Sequence, residues 1–175
     1  MGRQPWNRLA AFGIDWLCML AWIGVSAVVG VPLFLGGVTG QSNPVVLNLV
    51  AFFVVVAPIT VALAALESGK REATFGKRAR RLIVVLIEGD ASLSFARALL
   101  RNTVKIAIPW ALGHALVYGI ASSGNQDSVP AWVVVIGGAA YALPLLYVIA
   151  LFVRTGRTPY DWIAGTRVIS LSQPR

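Results

Sequence analysis

The sequence has one cysteine, Cys18, which excludes an internal disulfide and a thiolate metal cluster. It has one histidine, His114, which excludes a multi-His metal site. Charge is scarce too. Asp, Glu, Lys and Arg together make up 13% of the 175 residues, against about a quarter in a soluble domain. Acid is the scarcest, with 7 Asp and Glu against 15 Lys and Arg. No metal-ligand cluster, nucleophile elbow or phosphate-cradling loop is visible, so no enzyme, metal or cofactor is expected. Thr74-Phe-Gly-Lys77 lacks the glycine spacing of a P-loop.

Apolar length is what the sequence does have. Hydrophobic residues make up 57%, and the mean hydropathy is +0.74. A soluble core of this size cannot hide so much apolar surface, which excludes an ordinary cytosolic enzyme. Intrinsic disorder is excluded for the same reason. Four runs are long enough to cross a bilayer, which takes about 20 residues of helix. They cover about 9–35, 45–66, 98–120 and 131–153. The first is too long for a signal-peptide core and reads as a retained span. The expected fold is an all-α membrane protein: a four-transmembrane-helix bundle forming a single domain over 1–175. A basic cytoplasmic segment, 67–97, and a cytoplasmic tail, 154–175, complete it.

The connecting segments set the expected orientation. Segments 36–44 and 122–130 contain no Lys or Arg. The N-terminus carries Arg3 and Arg8, and the tail carries Arg154, Arg157, Arg167 and Arg175. The middle segment carries Lys70, Arg71, Lys77, Arg78, Arg80 and Arg81, with Arg97 and Arg101 just beyond. Basic residues accumulate on the cytoplasmic side, so both termini are expected there. Lys77, Arg78, Arg80 and Arg81 are expected against anionic lipid headgroups, each contributing about 1 kcal/mol. Nucleic acid is not an expected partner, because the basic block is short, holds one aromatic (Phe75) and is flanked by spans.

Two β-branched stretches stand out. Residues 82–87 precede Gly89-Asp90, a turn signal, and 166–170 follow Gly165. The two could pair as short strands at the membrane surface. Each span also has a proline within or near it: Pro32, Pro58, Pro109 and Pro144. A mid-helix proline removes one backbone hydrogen bond. A membrane helix tolerates this where neighbours satisfy the freed carbonyl. The prolines mark either packing irregularities or a hinge at a transport site.

Charges inside spans need a partner or a task. Asp15 lies seven residues after Arg8, on the same helical face and about 10 Å deeper. That face also carries Met19, Trp22 and Ser26 and is expected to meet protein. Arg97, Arg101 and Lys105 form a basic stripe at four-residue spacing. The economical arrangement pairs Asp15 with Arg101 or Arg97, and Arg8 with Asp161 or a headgroup. Asp15 is then either part of an ion pair that locks helices together or a carboxylate that exchanges a proton or cation. A paired arginine argues against proton exchange at neutral pH. His114, on the face opposite Lys105, is either a proton relay or a neutral imidazole bonded to a carbonyl. Cys18 reads as a small packing residue.

Arg8-Leu-Ala-Ala-Phe-Gly-Ile-Asp15 and Asp161-Trp-Ile-Ala-Gly-Thr166 resemble the signature segments of the RDD family of bacterial membrane proteins. Thr74-Phe-Gly-Lys77 and Leu93-Ser-Phe-Ala-Arg97-Ala-Leu-Leu-Arg101-Asn102 resemble its internal motifs, in the expected order. The resemblance implies a multi-pass protein of the bacterial inner membrane, with Arg8, Asp15 and Asp161 as signature residues. The family has been suggested to transport ions or small ligands, and sodium/proton antiport has been ascribed to at least one member. One departure is that the family often has a glycine near the start of the Leu-x-Val-Val stretch, where this chain has Arg80-Arg81.

Two functions remain open. One is ion, proton or small-solute transport, with Asp15 as coupling carboxylate and Arg8, Asp161, Arg97, Arg101 and His114 as further candidates. The other is a non-enzymatic accessory or assembly subunit that binds a larger membrane complex or anionic lipid. Gly138 and Ala142 form a small-xxx-small pair that could support a homo-oligomer.

Overall fold

The computed structural model describes residues 4–38, 43–123, 129–153 and 155–171. Arg3, Arg154 and Arg175 lie outside the described residues, as do 39–42 and 124–128 of the two uncharged loops. Four helical stretches are long and apolar enough to cross a membrane: Pro5–Leu35, Val45–Ser68, Phe95–Ser122 and Ala131–Phe152. The first is one helix, α1, of 31 residues, or about 46 Å of rise. It therefore extends beyond a hydrocarbon core about 30 Å thick, which leaves Arg8 near its outer end. The second is α2 (Pro44–Ala51), a π turn (Phe52–Val56) and α3 (Ala57–Ser68).

A short helix, α4 (Phe75–Ala79), and a strand, β1 (Leu82–Leu86), follow the second span. The third span repeats the second span's build. It comprises α5 (Phe95–Asn102), a π turn (Thr103–Ala107) and α6 (Ile108–Ser122). The fourth span is α7 (Ala131–Phe152), and α8 (Pro159–Ile163) and β2 (Thr166–Ser170) close the chain.

Both π turns end two residues before a proline, Pro58 and Pro109. Proline brings no N–H to the carbonyls one turn back. Neighbouring spans supply the missing donors. The Trp22 indole donates to the Val54 carbonyl at 3.1 Å. The Tyr147 hydroxyl donates to the Val104 carbonyl at 2.7 Å. These prolines are thus built into the packing, as an apolar solvent requires of any freed backbone group.

The two β-branched stretches do pair. β1 and β2 run antiparallel, from Leu82 opposite Ser170 to Leu86 opposite Thr166. Alternate residues of β1 serve two cores. Val84 packs with Ala64, Leu93 and Ala98, which ties the strand to α3 and α5. Ile83 and Val85 pack with Ala73 on the other face. Arg81 enters β1 with φ 54°, in the left-handed region that favours glycine. The turn forms there without the glycine expected at 80–81.

A third core cluster joins Met19 of α1 to Ile59 and Leu63 of α3 and to Ile106. The expected protein-facing stripe of α1 is therefore met at Met19, and Trp22, 41% exposed, bonds to the second span through its indole. Cys18 is exposed and not a packing residue. Gly138 and Ala142 also face outward, while Gly119 and Gly137 bring α6 and α7 together.

Candidate functional site

The polar residues gather at the end of the bundle where α1 begins and α3 ends. Glu67 in the last turn of α3, Arg101 in the last turn of α5 and Asp161 of α8 are all fully buried. Arg101 lies between the two carboxylates. Its Nη1 donates to both Glu67 oxygens at 2.7 Å. Its Nε and Nη2 donate to Asp161 Oδ1 at 3.1 and 2.9 Å. A planar fork of five donors is what lets one side chain bridge two acids. The guanidinium also stacks 5.1 Å over the Tyr160 ring.

The remaining lone pairs are satisfied from three directions. Lys77 Nζ donates to Glu67 Oε1, and Asn102 Nδ2 donates to Oε2 at 2.9 Å. Arg8 Nη2 donates to Asp161 Oδ2 at 2.6 Å, and its Nη1 donates to the Gly156 carbonyl. The Thr158 hydroxyl donates to the same Asp161 oxygen at 2.8 Å and its N–H at 3.2 Å. Thr158 and Asp161 thus stand at the N-cap and third position of α8, the spacing at which a carboxylate reaches back over a helix start. Burial alone would raise the Asp161 pKa, but the Arg101 and Arg8 guanidinium groups hold it well below the usual carboxylate range. Burial pushes the Lys77 ammonium down to about 7, aided by Arg101 and Lys105, against the pull of Glu67.

Asp15 departs from expectation. It pairs with neither Arg101 nor Arg97. Its carboxylate instead accepts the Thr74 hydroxyl at 2.6 Å and the Gly76 N–H at 2.7 Å. The reason is that Glu67 and Asp161 already fill the Arg101 fork. Gly76 is needed for this approach: a Cβ there would stand 1.9 Å from the Ala11 carbonyl oxygen. Thr74-Phe-Gly-Lys77 is thereby explained. Thr74 and Gly76 bind Asp15, and Lys77 binds Glu67.

Other candidates divide. Arg8, Asp161 and Arg101 belong to the network. Lys77 was expected at a headgroup, yet it is 6% exposed and inside the network. Its acid partner lies ten residues earlier, and burial beside it outweighs hydration. Arg78 is half-buried, with Nε on the Ala73 carbonyl at 2.9 Å. Arg80 is exposed and donates to Asn7, and Arg81 is exposed. Arg97 is exposed beside Gly165 and stands apart from the network. His114 packs its ring 5.8 Å from Trp110. Its buried Nδ1 has no hydrogen-bond partner among the described residues, so the expected bond to a carbonyl is not made there.

Glu67 is the functional residue the sequence reading missed. It is the only acid in the apolar run over 45–68, but it sits in the last turn and reads as the start of the basic segment.

A cavity of about 350 Å³ opens beside the network, between α1, the third span, α7 and α8. Four cations line it: Arg8, Lys77, Arg101 and Lys105. Asp15 lines it too, and also a second cavity of about 320 Å³ next to α3. No group of three or more His, Cys, Asp or Glu able to hold a metal is present among the described residues. The network is a set of filled hydrogen bonds, which makes it a fastening of α1, α3, α4, α5 and α8.

A family model described as the RDD family matches residues 3–129. No curated protein and no solved structure matches the chain.

Proposed function

This chain belongs to the RDD family, whose members are membrane proteins, and from that premise we propose a binding role rather than catalysis. The protein serves as a non-enzymatic accessory or assembly subunit of the bacterial inner membrane, with both termini and the basic segment in the cytoplasm. One observation carries this reading: Arg101 joins two buried carboxylates whose remaining oxygens are also occupied. With every oxygen occupied, such acids are fixed in place. A coupling carboxylate must instead gain and lose its ion. The network therefore supports a rigid scaffold. Around it, exposed Lys70, Arg71 and Arg81 form a basic rim suited to anionic headgroups or an acidic partner surface.

Transport through Asp15 is the second reading. In its favour, Asp15 makes no ion pair among the described residues and lines both cavities. Reconstitution separates the two. Proteoliposomes with wild-type protein are expected to show no ion-dependent proton flux under sodium or potassium gradients, and native purification is expected to recover a stoichiometric partner. A flux that Asp15→Asn abolishes establishes transport instead.

A further inference from the structure

The large cavity has two chemically different ends. Its inner end holds the four cations, and its walls further along carry Trp16, Ile106, Trp110 and Pro144. From Arg8 to Trp16 it follows α1 for eight residues, about 12 Å. Phe12, Trp16 and Val148 line it and are also exposed on the flank of the bundle. The mouth thus lies where acyl chains meet the spans. A volume of about 350 Å³ falls at the lower end of ligand pockets, about 300–1,000 Å³.

Lys105 is the cation that the protein leaves unmatched. Arg8, Lys77 and Arg101 each reach Glu67 or Asp161. Lys105 forms no ion pair and no hydrogen bond among the described residues. Its Nζ stands 5.3 Å from the centre of the Phe12 ring and 6.0 Å from that of Tyr160. Both rings hold a cation by their faces but leave its charge uncancelled. An uncompensated ammonium within a span is costly, and an anion beside it removes that cost.

We propose that this cavity binds an anionic amphiphile. Its monoanionic head sits on Lys105, and one alkyl chain lies along Trp16, Trp110 and Val148. The head arises from either a membrane phospholipid or a free fatty acid, and both present the same charge on the same kind of chain. This goes beyond the scaffold role, and its failure leaves the flux result standing.

Native mass spectrometry of the full-length protein tests it, after exchange into detergent with phosphatidylglycerol, oleate or phosphatidylcholine. Phosphatidylglycerol or oleate is expected to be retained over phosphatidylcholine, and whichever of the two is retained identifies the source. Lys105→Met is expected to lower that retention about tenfold, the effect of losing one charge-assisted hydrogen bond. Lys105→Arg should restore it, and Arg97→Met, an exposed cation outside both the cavity and the basic rim, should leave it unchanged. Should Lys105→Met fail to fold, Val148→Trp keeps the lysine and fills the chain's path, and it too should lower retention. Equal retention of phosphatidylcholine overturns the proposal. So does retention that Lys105→Met and Val148→Trp leave intact, or that Arg97→Met lowers as much.

Discussion

Arg101 shows why a buried charge in this protein cannot be traded for a similar one. Its fork makes two bonds to Glu67 and two to Asp161. A lysine ammonium is a point charge and cannot span both acids. Arg101→Lys and Arg101→Met should each leave a buried carboxylate unmatched and cost about 3–5 kcal/mol. Thermal unfolding in detergent should show both variants far below wild type; a lysine variant equal to wild type would contradict the bridging role. The pH dependence has a defined sign. Asp161 has a folded pKa below its unfolded value of 3.8. Its contribution is complete above that value and is lost as pH falls toward the folded one. The melting temperature should therefore drop below about pH 4, and a flat curve from pH 7 to 3 would remove this contribution. The site was half legible in the sequence. Arg8, Asp15, Arg101 and Asp161 stand out because charge is rare in and beside apolar runs. The Arg8–Asp161 pair was legible as one of two alternatives, but the partners of Arg101 were not, because Glu67 and Lys77 hide at the rims of a segment that reads as solvated.

At the scale of elements, the local signals were strong wherever chemistry and period coincide. The β-branched residues of β1 and β2, each beside a turn glycine, predicted the pairing that forms. The prolines predicted disturbed helices, but not that Trp22 and Tyr147 would supply the missing donors from other spans. That depends on depth and rotation in three dimensions, which a proline's own position does not encode. The contact of α4 with α1 is similar. Gly76 looks like an ordinary loop glycine until the Ala11 carbonyl is found where its side chain would be. Because the obstacle is backbone, Gly76→Ala must push α4 away from α1 and loosen both hydrogen bonds to Asp15. A loss of about 1–3 kcal/mol is expected, the usual range for overpacking. Ala79→Gly on the exposed side of the same helix is the control and should cost about 1 kcal/mol or less. Equal losses for the two would mean that the close approach contributes little.

For the whole molecule, one ion-paired end organises everything. The start of α1, the end of α3, the end of α5 and the chain after α7 all meet there, so α4, β1, β2 and α8 form a cap on the bundle. The cap concentrates the described basic residues, while the helix ends at Leu35 and Ser122 point to the other end and carry none. Under the positive-inside rule, four crossings with that asymmetry are expected to put the cap in the cytoplasm. The prediction can be checked by thiol labelling in a Cys18→Ser background, which removes the exposed native thiol. Val38 and Val129 are exposed beside the two uncharged loops, and Arg71 is exposed in the cap. In intact spheroplasts, a membrane-impermeant reagent should modify Val38→Cys and Val129→Cys. Arg71→Cys should react only after lysis. Labelling of Val38→Cys and Val129→Cys from opposite sides would break the even count of crossings. Labelling of Arg71→Cys in intact cells would invert the protein and turn its basic rim away from the anionic leaflet.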